Sequence, residues 1–384
     1  MLRIVIIGGG ITGAAAAAEL AREGQAVTLI EKHGIAAMAS GWTLGGVRQS
    51  GRDPAELPLA RAAVALWGEL AETLGADVEY RRTGNLRLAR TPAEVDVIRA
   101  LVLTQQALGL ELHFLSDNAA IRAVAPEISR NVLSASYCPT DGHANPVKAT
   151  QAFAGFARSH GAAIREGVAA LAITVKGDRV TGVDSSEGFI SADRVIVAAG
   201  VNTPSLLSPL GADLPLSIRI TQVVQSEPLP SCLLPAFGVA NADCAGRQEA
   251  DGRLRFSSGA GAWPGDPSEW VESSLAPSAS DIRRVVDRVT QVLPIAARAP
   301  IARTWGGLID LTPDALPVID APEYPSGLVI AAGFSGHGFC LGPVSGLLCA
   351  DLALERVPRH DLSAFRLARF ARHATTPSEL TLHG

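Results

Sequence analysis

The chain is short of cysteine. None of its five cysteines, Cys138, Cys232, Cys244, Cys340 and Cys349, forms a C-x-x-C pair. An odd, scattered set reads as reduced thiols, so neither a disulfide framework nor a metal or iron–sulfur site is expected on this chain. Basic clusters are also lacking. The 33 Lys and Arg stand against 38 Asp and Glu, a net charge of −5, which argues against nucleic acid or an anionic membrane as partner. Apolar runs are all shorter than a membrane span and are broken by Gly, Pro or charge. A strand beginning at Leu2 leaves no room for a signal peptide, and a cytoplasmic location is the expectation. There is no internal repeat, low-complexity tail or linker. The two domains that 384 residues suggest must therefore be interwoven.

What is present is a large apolar content, 47%, with 38 Gly and 24 Pro, as suits a mixed α/β chain with many turns. The informative stretch is Leu2 to Glu31, LRIVIIGGGITGAAAAAELAREGQAVTLIE. Leu2 to Ile7 has the continuous apolar character of a buried parallel strand. Gly8, Gly10 and Gly13 follow as G-x-G-x-x-G. The first permits a tight turn, the second a close approach by pyrophosphate, and the third close helix–strand packing. Ile11 to Glu23 is Ala-rich and helical by propensity. Its N-terminus, at Ile11 and Thr12, presents N–H groups and the positive dipole end to a diphosphate. Gly24 stops the helix, Ala26 to Ile30 is a second strand, and Glu31 is placed to accept from an adenosine ribose. Strand, glycines, helix, strand and acid in this order indicate a dinucleotide site for NAD or FAD.

Ala39 to Gly51, ASGWTLGGVRQSG, is irregular and Gly-rich, with Gly41, Gly45 and Gly46 suited to backbone lying against a ligand. Helices are expected at Pro58–Leu74, Pro92–Leu108, Asp117–Ala125, Val147–His160 and Pro277–Leu293. Strands are expected at Thr83–Ala89, Leu110–Leu115, Ala163–Glu166, Ile218–Ser226 and Arg253–Ala260. A hairpin runs from Ala170 to Ser185 about Gly177-Asp178, with Phe189–Asp193 pairing next. Ser134 to Pro146 reads as a turn-rich crossing. Arg194–Ala198 is an apolar strand ending in Ala199-Gly200, which lets a second segment approach a cofactor. The central elements suit an antiparallel sheet with helices on one side. After the buried strand Leu328–Ala332 comes GFSGHGFCLGPVSGLLCADL. Gly333, Gly336, Gly338 and Gly342 precede a helix expected to begin near Pro343. This second glycine-rich loop feeds a helix N-terminus able to stabilise negative charge.

With both glycine-rich ends in view, the chain resembles the D-amino-acid oxidase-like FAD-dependent oxidoreductases, a group that includes glycine oxidase, sarcosine oxidases and β subunits of proline, hydroxyproline and opine dehydrogenases. The carrying residues are Gly8, Gly10, Gly13 and Glu31, the loop Ser40 to Arg48, Ala198-Ala199-Gly200, Thr312-Pro313-Asp314 with Pro317, and Gly333 to Phe339. The stretch GWTLGGVRQSGRDPAELPLARAA is most similar to the β subunits of opine (octopine/nopaline) oxidases and hydroxyproline dehydrogenases. The resemblance implies an α/β plus α+β fold: a Rossmann-like FAD-binding domain (1–83, 140–215 and 300–384) interwoven with an antiparallel-sheet substrate domain (84–139 and 216–299). It implies FAD and hydride transfer from an amine-bearing carbon to flavin N5. Lys32, Ser40, Gly41, Gly45, Gly46, Val47, Val168, Ala199, Gly200 and Gly333 would join the cofactor site, with Gly336, His337, Gly338 and Phe339 at the pyrimidine edge. The substrate would be an opine or another amino acid, and an electron-accepting, iron–sulfur-carrying subunit would be the partner.

The departures are informative. Gly306, Gly307, Leu308 and Ile309 stand where monomeric sarcosine oxidases carry the cysteine that bonds FAD, so FAD should be non-covalent. Cys340 replaces a carboxylate-binding lysine. Asn145 stands where heteromeric sarcosine oxidases attach FMN through histidine, with His143 two residues away, which leaves a non-covalent FMN open. A carboxylate substrate calls for a bidentate arginine, and Arg48 and Arg303 flank the ligand-like segments. His337 lies between two glycines as a flavin contact or proton relay. Asp314, after Thr-Pro, suits a turn better than an acid, and Cys340 a packed thiol better than a redox group. A free-standing oxidase, an NAD-dependent dehydrogenase and a structural flavin-carrying subunit are the alternatives.

Overall fold

The structure, a computed structural model, describes residues 1–267 and 269–372; residues 373–384 of the 300–384 segment lie outside it. β1 (Arg3–Ile7) is buried at every position from Ile4 to Ile7. Burial on both faces suits the centre of a parallel sheet. β1 pairs in parallel with β2 (Ala26–Glu31) on one side and with Arg194–Val197 on the other. The six-stranded sheet runs 318–320, 328–332, 194–197, β1, β2, 163–166, with only the first pair antiparallel.

α1 (Ile11–Arg22) joins β1 to β2 and is buried from Ile11 to Ala21. A helix of alanines has little side-chain bulk, so two others lie against it: Pro146–Ser159 and the closing helix Gly338–Ala353. A Cβ on Gly346 would lie 2.5 Å from Ala15 Cβ, and one on Gly342 would lie 2.4 Å from Ile11 Cγ2. The two helices therefore cross at glycines. The closing helix does not begin near Pro343 as its sequence suggests. It begins at Gly338 and carries Pro343 inside. The proline forgoes one bond, to the Phe339 carbonyl, and burial of nearly the whole helix outweighs that loss.

The second sheet has nine strands. From one edge they are 261–262, 217–228, 253–258, 244–248, 236–239, 85–89, 134–138 and 113–115, with 301–311 also paired to 217–228. All pairs are antiparallel except 236–239 with 85–89. The helix Ala279–Val292, started by a Ser278/Asp281 capping box, buries Val285, Val289 and Val292 against it. Two corrections to the sequence reading follow. Ser134–Cys138, within the expected crossing, is a strand paired with Asn85–Ala89. Ile301–Leu311, within the expected FAD-binding segment, is a strand of this large sheet, in register with Ser217–Ser226.

Candidate functional site

A cavity of about 340 Å³ lies between the carboxyl ends of β1 and Arg194–Val197 and the face of the large sheet. Open α/β sheets bind ligands at that end. Gly8 sits at its rim with φ +112°, and a Cβ there would lie 2.3 Å from the Ala198 carbonyl oxygen. Only glycine lets the end of Arg194–Val197 approach this closely. α1 starts at Gly10 with no side-chain cap, and Ser40 Oγ accepts from Ile11 N at 2.9 Å. The Glu31 carboxylate, at the end of β2, accepts from Gly9 N at 2.6 Å and from His33 N at 2.8 Å. It thereby fixes the turn and keeps oxygen lone pairs for a further donor.

The cavity wall brings together most of the residues singled out from sequence. Gly8, Gly10, Ile11 and Thr12 meet Ser40 and Gly46, then Ala199, Gly200 and the Gly336–Phe339 loop, with Arg48 among them. Gly13, Glu31, Lys32, Gly41, Gly45, Val47, Val168 and Gly333 stand outside the wall. Arg303 also stands outside it. It is exposed, with its guanidinium 5.4 Å from the Trp305 ring centroid. Gly307 is the nearest of the four wall residues on the same strand, 307–310, and four residues of extended chain put Arg303 roughly 13 Å further out.

Arg48 is buried and donates through Nη1 to the Ser50 carbonyl at 2.8 Å. Burial, and then repulsion from Arg52 and Arg87, drives its guanidinium well below the ordinary arginine value. Asp141 holds the same turn, accepting from Gln49 N at 2.8 Å and from Ser50 N and Oγ. His337 Nδ1 lies 3.1 Å from Glu56 Oε1. Burial, and then the Arg52 charge, pushes its imidazole down, so it is neutral near pH 7. Sequence reasoning passes over Arg52, Glu56, Arg247 and Asp310. Arg52 and Glu56 had one usable signal, Arg–Arg–Glu spaced by four after the glycines. Arg247 contacts His143 Nδ1 at 2.9 Å and pairs with Glu249 at 3.0 Å. Burial pushes His143 down to about 3. Asn145 caps the helix Pro146–Ser159 through Lys148 N. Asp310 accepts from Gly333 N at 2.8 Å, and burial pushes it up to about 6.

Cys244 is the one cysteine on the wall, its Sγ turned to the Arg288 carbonyl oxygen at 3.9 Å and its thiol pushed up to about 12 by burial. Cys340 is packed under Arg48, with Sγ 3.4 Å from its carbonyl oxygen. Asp314 accepts from Leu316 N within its turn and pairs with Arg369 at 2.7 Å. Among the described residues no group of three or more His, Cys, Asp and Glu is placed to hold a metal, and no helix is long and apolar enough to cross a membrane.

The profile of the DAO family, described as FAD dependent oxidoreductase, matches residues 3–352. The chain belongs to this family. The residues fit the family's cofactor. α1 has no side chain of its own at the N-cap, Gly10, and Cβ atoms on the wall glycines Gly46, Gly200 and Gly336 would meet nothing within 4 Å among the described residues, so a ligand has room against the backbone. Three relatives set the context. 4-Methylaminobutanoate oxidase (formaldehyde-forming) of Paenarthrobacter nicotinovorans is 29% identical over 97% of this chain and 46% of its own. The sarcosine oxidase subunit beta of Rhizobium meliloti is 26% identical over 96% and 88%. The crystal structure of L-proline dehydrogenase from P. horikoshii superposes with a TM-score of 0.87 at 28% identity, covering 97% of this chain and 98% of that one. This DAO-family chain therefore spans about half the length of curated relatives such as the first.

Proposed function

We propose that this chain is the FAD-bearing subunit of an amine dehydrogenase. It would oxidise the C–N bond of a carboxylate-bearing secondary amine, an opine or a proline-like amino acid, to an imine that is hydrolysed or released. The observation that carries this reading is one continuous cavity running from the N-terminus of α1 to buried Arg48 and buried His337. FAD bound there supplies the two-electron acceptor. Arg48 holds the substrate carboxylate at the wall. Leu308, Trp42 and Phe237 exclude water, which favours an unprotonated amine. Glu56 keeps the His337 ring fixed through Nδ1. Glycines at 306 and 307 support non-covalent FAD. The likeness to a sarcosine oxidase β subunit supports a hetero-oligomer in which electrons pass to an iron–sulfur-carrying partner, with FMN at the interface as a further component.

The test is the flavin content of the purified chain, from its visible spectrum and from chromatography after acid precipitation. One FAD per chain, all released, is expected; flavin kept in the pellet would refute non-covalent binding. Turnover of opines and cyclic amino acids with an artificial acceptor but not with oxygen separates the dehydrogenase from a free-standing oxidase.

A further inference from the structure

The stretch of cavity wall from Ser40 to Arg48 holds only one short helical turn, Ala39–Trp42, and a two-residue strand, Gly46–Val47. Carbonyls at the end of such a turn have no partner within it and must be met from elsewhere. Three side chains of the large sheet meet them. Arg255 donates through Nη2 to the Gly41 carbonyl at 3.0 Å. Trp305 donates through Nε1 to the Trp42 carbonyl at 3.0 Å. Arg247 donates through Nε to the Leu44 carbonyl. The donors come from three different strands, 253–258, 301–311 and 244–248.

Arg247 also donates through Nη1 to His143 Nδ1, and His143 pairs through its backbone with Gly46. Arg247 thus grips both sides of the turn at Gly45, where a Cβ would lie 3.2 Å from its Nη2. Gln225, Arg255 and Arg247 stand in one row across three adjacent strands, and Glu249 follows Arg247 by two residues. Glu249 Oε1 accepts from Arg247 Nη2 at 3.0 Å and from Arg255 Nη1 at 3.3 Å, and its Oε2 accepts from Gln225 Nε2. The three charged side chains are each 10% exposed or less. Neighbouring guanidinium groups repel strongly where water is excluded. The shared carboxylate lets both stay at the loop.

We propose that Glu249 is a positioning residue: by holding Arg247 and Arg255 together it fixes the carbonyls of residues 41–44, and with them the wall from Trp42 to Arg48, in the place that FAD requires. Glu249 itself stands outside the cavity wall and acts through the two arginines. The loop meets α1 at its other end, where Ser40 Oγ accepts from Ile11 N. The carboxylate therefore ties the large sheet to the start of the dinucleotide helix. The inference rests on FAD binding in the cavity and is independent of which amine is oxidised.

The experiment compares the wild-type holoprotein with Glu249→Gln, Glu249→Asp and Glu227→Gln. Glu227 pairs with Arg253 at 3.1 Å on the same sheet and is exposed, so it serves as the control. Hydrogen exchange of peptides covering residues 39–51 reads the loop, and flavin release on dilution reads the FAD dissociation constant. Glu249→Gln keeps the shape and removes the charge, leaving two buried cations without their shared partner. Exchange in 39–51 should quicken and FAD should weaken, each roughly ten- to a hundredfold, the worth of one charge-assisted hydrogen bond. Glu249→Asp, which keeps the charge one methylene short, should fall between and decides the matter if Glu249→Gln does not fold. Glu227→Gln should match the wild type in both readouts. Unchanged exchange in 39–51, a quickened loop with unchanged FAD affinity, or an equal effect from Glu227→Gln overturns the proposal. A wild type without flavin refutes the FAD-bearing reading instead, and the exchange measurement still decides whether Glu249 holds the loop.

Discussion

Replacing Gly346 by alanine puts two effects in opposition. In the middle of a helix this exchange ordinarily stabilises by about 1 kcal/mol, because alanine loses less backbone entropy. Here the new Cβ would lie 2.5 Å from Ala15 Cβ and 2.7 Å from the Ala15 carbonyl carbon and Ala16 nitrogen. These are atoms of a second helix, with no flexible side-chain end to swing away. α1 and the closing helix must then separate by roughly an ångström, and overpacking of this kind costs about 1–3 kcal/mol. Contact with backbone puts Gly346 at the upper end, for a net loss of about 2 kcal/mol. Gly68 and Gly155 provide internal controls. Both are exposed within helices and their Cβ atoms would meet nothing within 4 Å among the described residues, so the same exchange should stabilise by about 1 kcal/mol. Thermal unfolding by circular dichroism at saturating FAD, with ligand held constant, should show Gly346→Ala melting a few degrees lower and the controls slightly higher. A raised melting temperature for Gly346→Ala would refute the packing argument.

Gly8→Ala forces a side chain into φ +112° and against the Ala198 carbonyl. It should yield a colourless or unstable protein, and a yellow one with unchanged melting would contradict the expectation. Arg303→Ala should leave KM for any amine substrate within about twofold of wild type, since the side chain stands outside the cavity wall; a tenfold rise in KM would restore the substrate role suggested by its sequence context. Asp310 has a folded pKa of about 6, raised above its ordinary value of 3.8. Its contribution to stability is present below that lower value and is lost as pH rises through 6, by up to about 3 kcal/mol. Relative to wild type, Asp310→Asn should therefore gain stability between pH 4 and pH 7, and parallel stability profiles would refute this.

The dinucleotide half was legible because each of its signals is local. The run of β1, the three glycines, the alanines of α1 and the acid closing β2 all fall within thirty residues. Ala279–Val292 was legible for the same reason, since its valines repeat at helical spacing. Ala236–Val239 and Cys244–Gln248 were not. The first is buried at every position, so no alternation marks it, and the second opens on Cys-Ala-Gly. Ile301–Leu311 carries a strand pattern, but its partner lies some eighty residues earlier and nothing local names it. The site divides likewise. Cavity glycines advertise themselves, whereas Glu56 and His337 are 281 residues apart and only the fold joins them. Arg48 and Arg303 are alike in lying near glycine-rich segments, yet only Arg48 lines the cavity, because distance along a strand cannot be read as distance from a cavity.

The crossing of α1 with the closing helix sets a timetable for synthesis. β1, α1 and β2 are made long before the elements that enclose them: the second neighbour of β1 arrives only with residues 194–197, the next strand with 328–332, and the helix that seats on Ala15 after that. At about 5–20 residues per second, a delay of over three hundred residues lasts roughly 15–65 s. During that interval the apolar flank of α1 has no closing helix to cover it and the cavity has only part of its wall. A nascent chain of this protein therefore gains its cofactor pocket late and all at once, and arrest before residue 338 would leave an exposed alanine helix for chaperones or aggregation to claim.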